Sequence, residues 1–276
     1  MKAPAFDYER ANTVPHAATL LARADGDARL LAGGQTLGPM LNLRLVMPRL
    51  IIDIGHIAAL RHIREQGDHL VIGAGVTHAM LEDRNDRSPL GQLLSYAAGS
   101  IAYRAIRNRG TVGGSLSHAD PAADWVTIMM LLDAEIVIAD SATRRRVPMG
   151  EFMLGAFTTS LRPAEVLESI EIPKASAEAR WGYYRICRKS GEFPEAIGAV
   201  LLDRARGISR IVTGALDGAP ALLPDLALHV ASDGAAAATI ENAERVLVNA
   251  APSLNAVDRH LHAAAVRRAI VQATAS

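Results

Sequence analysis

Ile106-Arg107-Asn108-Arg109-Gly110-Thr111-Val112-Gly113-Gly114-Ser115-Leu116-Ser117-His118-Ala119-Asp120-Pro121-Ala122-Ala123-Asp124 is the stretch on which the reading of this chain turns. At its centre, Thr111-Val112-Gly113-Gly114-Ser115 sets a glycine pair between side chains that can hydrogen-bond. Upstream, Ala32-Gly33-Gly34-Gln35-Thr36 repeats that chemistry, with Leu37 next in the chain. Adjacent glycines let successive backbone N–H groups turn toward one concavity, and the missing Cβ lets a ligand come close, which favours an anion such as phosphate. A single Gly-Gly is also what ordinary tight turns use. Two loops of matching chemistry point to two jaws on one diphosphate.

Around these loops the chain reads as a multi-part globular protein. Its 276 residues are long enough for two or three compact units, half of them are hydrophobic, and the formal net charge is zero. No block of five like charges marks a nucleic-acid or anionic-lipid surface, so the expected ligand is a small molecule or another protein. The most apolar stretch, Trp125 to Ala139, is broken by Asp133 and Glu135 and is too short to span a bilayer. Asp7, Glu9 and Arg10 stand where a secretory signal needs an apolar core, so cytoplasmic residence is expected. The single cysteine, Cys187, allows no internal disulfide and cannot supply the four thiolates of an iron–sulfur cluster. Electrons moved by this chain would therefore travel through an organic cofactor. Cys187 itself reads as a small buried hydrophobe.

Periodicity predicts an entry strand after Phe6, a helix from Val14-Pro15 to Ala24, a strand from Arg29 to Ala32, a helical or irregular segment from Leu37, and a strand at Leu50–Ile54. This makes a β-α-β unit closing near Gly55. A strand at His69–Gly75 and a short helix come next, then one helix over Leu90–Ile106 whose end carries Arg104, Arg107 and Arg109, where cations suit the dipole and Gly110 gives a stop. Asp120-Pro121 has helix-start chemistry, Asp as N-cap and Pro at the first position. Strands are expected at Ala134–Ala139 and Ile170–Pro173, a linker at Pro173–Ser176, then β-like Tyr183–Ile186 and Ala196–Leu202, and two Ala-rich helices near Thr239–Asn249 and Ala256–Thr274.

Two other patterns carry less. Val71-Ile72-Gly73-Ala74-Gly75-Val76-Thr77-His78 runs a strand into G-x-G, but His78 stands where a dinucleotide fingerprint needs its third glycine. A tight turn between strand and helix is the expectation. His118, Asp120 and Asp124 are spaced neither for a metal nor for a nucleophilic triad, and no G-x-S-x-G elbow exists. Asp124 has a further use, as acceptor for the hydroxyls of a polyol chain.

Both glycine motifs, with the residues that flank them, carry a family resemblance. Ala32 to Arg44 and Ile106 to Asp124 resemble the FAD-binding, or medium, subunit of molybdenum hydroxylases of the carbon monoxide dehydrogenase and xanthine dehydrogenase type. Leu161-Arg162-Pro163-Ala164-Glu165 with Ile170–Pro173, Arg188-Lys189-Ser190-Gly191-Glu192-Phe193, and Asp258–Leu261 with Val266–Ala269 agree, so nearly the whole chain is covered. The resemblance implies an α+β chain: a vanillyl-alcohol-oxidase (PCMH-type) FAD-binding fold of two subdomains, about 1–55 and 56–175, and a smaller C-terminal α+β domain over 176–276. It implies that Ala32, Gly33, Gly34, Gln35, Thr36 and Leu37, together with Thr111, Gly113, Gly114 and Ser115, hold the FAD diphosphate, while Asp124 bonds the ribityl chain. Ile101, His118 and Leu167 would line the groove. Phe193 would cover the isoalloxazine ring where the family commonly has Tyr, and Lys189 would approach the flavin or its acceptor.

By the same resemblance the chain is an electron-transfer oxidoreductase subunit with no catalytic acid, base or metal ligand of its own. A molybdenum-pterin cofactor in a large partner and [2Fe–2S] clusters in a small partner are implied, in a dimer of heterotrimers, with no nucleic acid and no transmembrane segment. The alternatives are a self-sufficient flavin oxidase or reductase of the same fold, and a non-enzymatic nucleotide-binding module.

Overall fold

A computed structural model describes residues 2–275, which form three principal sheets in chain order. In the first, β1 (Asp7–Arg10), β2 (Ala28–Leu31) and β3 (Leu50–Asp53) run parallel in the order β1-β3-β2. The crossover α1 (Val14–Arg23) starts where the Thr13 side chain accepts from the N–H of His16, has Pro15 in its first turn, and buries Val14, Ala17, Ala18 and Leu20. A short α2 (Leu37–Asn42) fills the connection from β2 to β3.

The second unit alternates helices with an antiparallel sheet. Its elements are β4 (Ile63–Gln66), β5 (His69–Gly73), α3 (His78–Glu82), α4 (Pro89–Ser100), α5 (Arg104–Arg107), α6 (Val112–His118), α7 (Asp124–Leu131), β6 (Glu135–Ala139) and β7 (Arg144–Pro148). They continue through α8 (Met149–Phe152), the small hairpin β8 (Met153–Gly155) and β9 (Thr158–Thr159), and β10 (Val166–Pro173). Strand order is β4-β5-β10-β6-β7. Helix α1 packs across onto β6 and β10, so the small parallel sheet shares this unit's apolar core.

The last unit has β11 (Arg180–Ile186), β12 (Ala196–Asp203), β13 (Ile208–Gly214) and β14 (Ala221–Leu222) in one antiparallel sheet. Helices α9 (Pro224–Asp233), α10 (Ile240–Ala250) and α11 (Ala256–Thr274) complete it, and α11 lies on β11 and β12. Every residue of α7 is buried, because it packs on α4 and α6 of its own unit and on β12 and β13 of the next. A helix buried on every side has no solvent face to present, and its few polar side chains, Asp124 and Thr127, are buried with the rest. Its two sets of contacts join the second unit to the third.

Several local expectations change. The single helix over Leu90–Ile106 is two, α4 and α5, because the chain leaves helical geometry at Ile101 and Ala102 takes φ +43°. The freed carbonyls are not lost: Arg107 Nη1 donates to the carbonyls of Ile101 and Ala102 at 2.9 and 2.8 Å. Arg104 and Arg107 do more than meet a helix dipole, since both pair with Glu82, and Arg104 also with Asp83. Asp120-Pro121 does not start a helix. The Asp120 carboxylate accepts from the N–H of Ala122, the Pro121 carbonyl accepts from Ala215, and α7 begins only at Asp124. The Pro173–Ser176 linker is tied at both ends: Lys174 N–H donates to Asp68, and Ser176 donates twice to the Asp203 carboxylate. Cys187 is half-buried rather than buried.

Candidate functional site

The first glycine pair leaves β2 and makes a loop whose backbone is bare. Among the described residues, the N–H groups of Gly33, Gly34, Gln35 and Thr36 donate to no protein acceptor, while Gly34 takes φ +73°. Four successive unpaired donors on a partly buried turn form an anion-receptive concavity. Gly33 is there for close approach: a Cβ on it would stand 2.0 Å from the Arg109 carbonyl oxygen and 2.9 Å from the Gly110 Cα. The two motifs, distant in sequence, are therefore in backbone contact. Arg109 Nε also donates to the Gly33 carbonyl at 3.4 Å.

The second glycine pair is not an open loop. Thr111 is the N-cap of α6, and its hydroxyl accepts from the N–H of Gly114 at 3.1 Å. Val112 donates to Val76, Gly113 to Ala74, and Ser115 to the Thr111 carbonyl, so this jaw's N–H groups are spent inside the protein. Gly113 is needed for packing, since its Cβ would lie 2.4 Å from that of Ala74. What it presents outward is exposed Gly114 and half-buried Ser115. The matching-jaws expectation is thus corrected: one motif offers bare donors, and the other offers a smooth, side-chain-free wall carrying a hydroxyl.

Gly73-Ala74-Gly75 supplies the bed for this wall. Cβ atoms on Gly73 and Gly75 would stand 2.4 and 3.0 Å from the Leu60 carbonyl oxygen, and Gly75 donates to that oxygen at 2.7 Å. The G-x-G is a packing turn between strand and helix, as expected. His78 closes it from the other side. Its Nδ1 accepts from Trp125 Nε1 at 3.0 Å, and its Nε2 abuts Gly110, where a Cβ would come within 2.8 Å.

The remaining expected residues separate. Asp124, the first residue of α7, is 5% exposed; its Oδ1 receives the Tyr183 hydroxyl and lies 2.9 Å from Arg185 Nε. Burial raises this carboxyl above the ordinary range, against the pull of Arg185 and Tyr183, and it also pushes the Tyr183 phenol well up. Both contacts fall on Oδ1. Ile101 is half-buried just after α4; Lys189 and Phe193 are exposed on the β11–β12 loop, Phe193 at 66%. His118 is half-buried at the end of α6, its ring 5.1 Å from that of exposed Phe157. Leu167 lies within the apolar core, paired to Ile138 across β10 and β6. Sequence reasoning did not find Arg185 or Tyr183, which no local motif announces.

Two buried imidazoles set an acid limit on this architecture. Burial, reinforced by the charge of Arg107, lowers His78 to about 4. Burial also lowers His262 to about 4, against Asp258 and Asp217; its Nδ1 lies 2.9 Å from the Thr213 hydroxyl. Both stay neutral when folded but take a proton near 6.5 when unfolded, so the unfolded chain binds more protons between those values. Their stabilisation is complete above pH 6.5 and is lost as pH falls toward 4. At about pH 5 each should cost about 2 kcal/mol, or about 4 kcal/mol together. Urea midpoints measured from neutral to about pH 5 should fall accordingly, and His78→Gln should flatten its share; a midpoint constant across that range is the contrary result.

The chain has recognisable relatives. Residues 4–175 match the family described as FAD binding domain in molybdopterin dehydrogenase. Over 268 residues the chain is 34% identical to the 6-hydroxypseudooxynicotine dehydrogenase complex subunit alpha of Paenarthrobacter nicotinovorans, covering 96% of this chain and 85% of that one. It is 37% identical over 206 residues to the carbon monoxide dehydrogenase medium chain of Hydrogenophaga pseudoflava, covering 73% and 70%. Among solved structures, CO dehydrogenase from Oligotropha carboxidovorans superimposes with a TM-score of 0.90 at 27% identity over 99% of both chains. Quinoline 2-oxidoreductase from Pseudomonas putida 86 does so with a TM-score of 0.88 at 30% identity, over 99% and 98%.

Proposed function

Because the chain belongs to the family of FAD binding domains in molybdopterin dehydrogenase, we propose that it is the electron-transfer flavoprotein subunit of a multi-subunit molybdenum hydroxylase. FAD is its cofactor, and the observation that carries the assignment of the site is the row of bare N–H groups from Gly33 to Thr36, seated against Arg109-Gly110. Ala32 to Leu37 would cradle one phosphate, and Thr111, Gly113, Gly114 and Ser115 would let the other lie against backbone. Asp124 Oδ2, outside the Tyr183 and Arg185 contacts, is the oxygen that a ribityl hydroxyl would meet. Ile101, His118, Lys189 and Phe193 would border the cofactor, whereas Leu167 belongs to the core.

The bound flavin supplies acceptance and redelivery of electrons, and the chain's own residues bind and orient it. Two subdomains of the vanillyl-alcohol-oxidase type, 1–55 and 56–175, would clasp it, with 176–276 as the third domain. Substrate oxidation belongs to a large subunit with a molybdenum-pterin cofactor, and electrons would arrive through the [2Fe–2S] clusters of a small one, in a dimer of heterotrimers. Among the described residues, no helix is long and apolar enough to cross a membrane.

Copurification from the native source with flavin and metal analysis tests this reading. A flavin-bearing complex with molybdenum and iron is expected; a free chain that turns over a simple donor alone would overturn it. Gly114→Val tests the wall. Gly114 is exposed, and its new Cβ would meet only the Thr111 hydroxyl, at 2.8 Å. The fold should lose no more than a cap's worth of about 1 kcal/mol. FAD content should nonetheless collapse; full retention would remove Gly114 from the site.

A further inference from the structure

Arg185 lies near the end of β11, outside every motif that points to the cofactor, yet its side chain is only 11% exposed. Its three nitrogens reach three separate segments. Nε pairs with Asp124 at the start of α7, Nη1 donates to the Ser100 carbonyl at the end of α4, and Nη2 donates to the Glu192 carbonyl in the β11–β12 loop at 2.9 Å. The approach to Asp124 is a charge pairing, since Nε makes no directed hydrogen bond. A buried guanidinium of this kind needs a buried counter-charge, and Asp124 supplies it.

The loop that Arg185 grips carries Lys189 and Phe193, and it has few other holds. Gly191, at φ +85°, lies against the backbone of Ala102, where a Cβ would be 3.3 Å from the carbonyl oxygen. Glu195 N–H returns to the Ile186 carbonyl at 2.7 Å and closes the loop's base. Arg185 thus ties the third unit's loop to the very turn, Ser100 to Ala102, where α4 ends beside Ile101. The planar fork of an arginine can serve two carbonyls and a carboxylate at once, whereas a lysine ammonium cannot span them.

We propose that Arg185, balanced by Asp124, is a positioning residue that fixes the Cys187–Glu195 loop against the end of α4 and so sets where Phe193 and Lys189 stand over the flavin. The consequence for electron delivery rests on the flavoprotein function proposed above; the mechanical tie does not. Asp124 accordingly acts first through Arg185 and only second as a hydroxyl acceptor.

Limited trypsin digestion of the purified chain, in its complex where one forms, reads the tie directly, because Arg188 and Lys189 are cleavage points inside the loop. Arg185→Lys and Arg185→Met should speed cleavage at those two bonds on the order of tenfold, with circular dichroism of the backbone unchanged. Asp124→Asn, nearly isosteric, is the milder arm and should do the same to a smaller degree. In flavin-loaded protein, the Arg185→Lys variant should keep its FAD content while reoxidation by a dye acceptor slows on the order of tenfold and the flavin circular dichroism band changes. Unchanged cleavage at Arg188 and Lys189 in folded Arg185→Lys and Asp124→Asn overturns the proposal, whatever the flavin does. Faster cleavage without bound flavin in any form, wild type included, leaves the tie standing and sinks the flavoprotein function.

Discussion

Gly33→Ala should strip the protein of flavin. The added methyl would be placed 2.0 Å from the Arg109 carbonyl oxygen and 2.6 Å from its carbon, both backbone atoms that cannot rotate away. The first loop must therefore withdraw from Arg109-Gly110, and the row of donors from Gly33 to Thr36 moves with it. An affinity loss of at least about a hundredfold, equivalent to about 2.8 kcal/mol, is expected. Overpacking should cost a further ~1–3 kcal/mol in stability. Gly38→Ala is the control, because nothing lies within 4 Å of its Cβ position and α2 gains an alanine. It should keep FAD and stabilise by about 0.5–1 kcal/mol. The measurement is FAD per chain after gel filtration, with urea unfolding in parallel. Equal flavin in the two variants would mean that the contact between the motifs does not govern binding.

The second large effect is expected in the third unit, where α11 sits unusually close to its sheet. A Cβ on Gly182 of β11 would lie 1.9 Å from the Ala269 carbonyl oxygen, and one on Gly198 of β12 would lie 2.5 Å from the Ala265 carbonyl. The facing residues on α11, Ala265, Ala269 and Ala273, are small and fully buried, so neither surface has slack. Gly182→Ala and Gly198→Ala should each destabilise by ~2–3 kcal/mol, the upper part of the range for overpacking, since helix backbone must move. Because the two sites sit under one helix, the double variant should cost less than the sum. Chemical denaturation monitored at Trp181, on β11 beside Gly182, would check this; a change within about 0.5 kcal/mol for both variants would show that α11 can lift freely.

Where sequence reading succeeded, the information was local. The β-α-β opening was legible because Val14-Pro15 marks a helix start and Leu50–Ile54 is a β-branched run, and those signals act over a few residues. Strand β7 was not legible. Arg144, Arg145 and Arg146 carry no strand signal of their own, and what seats them in the sheet is distant: Glu168, Glu165 and Glu171, of β10 and the turn before it, are brought alongside to pair with them. The second glycine motif is legible in the sequence but its helical form is not, because two glycines disfavour a helix by local propensity. Tertiary contacts with Ala74 and Val76 and the Thr111 cap override that preference.

The sequence by itself determined two anion-receptive segments, since a Cβ-free backbone at Gly33-Gly34 and Gly113-Gly114 is a property of residue identity, and the resemblance carried by their flanking residues implied the cofactor class. Tertiary structure alone decided how those segments divide the work. It brought Gly33 onto Arg109, spent the second motif's donors on Ala74 and Val76, and left the first motif's donors bare. It also turned Asp124 from a free acceptor into the counter-charge of Arg185, sixty-one positions away by residue number. Such pairings depend on which distant groups are desolvated together, and burial is a property of the folded chain, not of any residue in it.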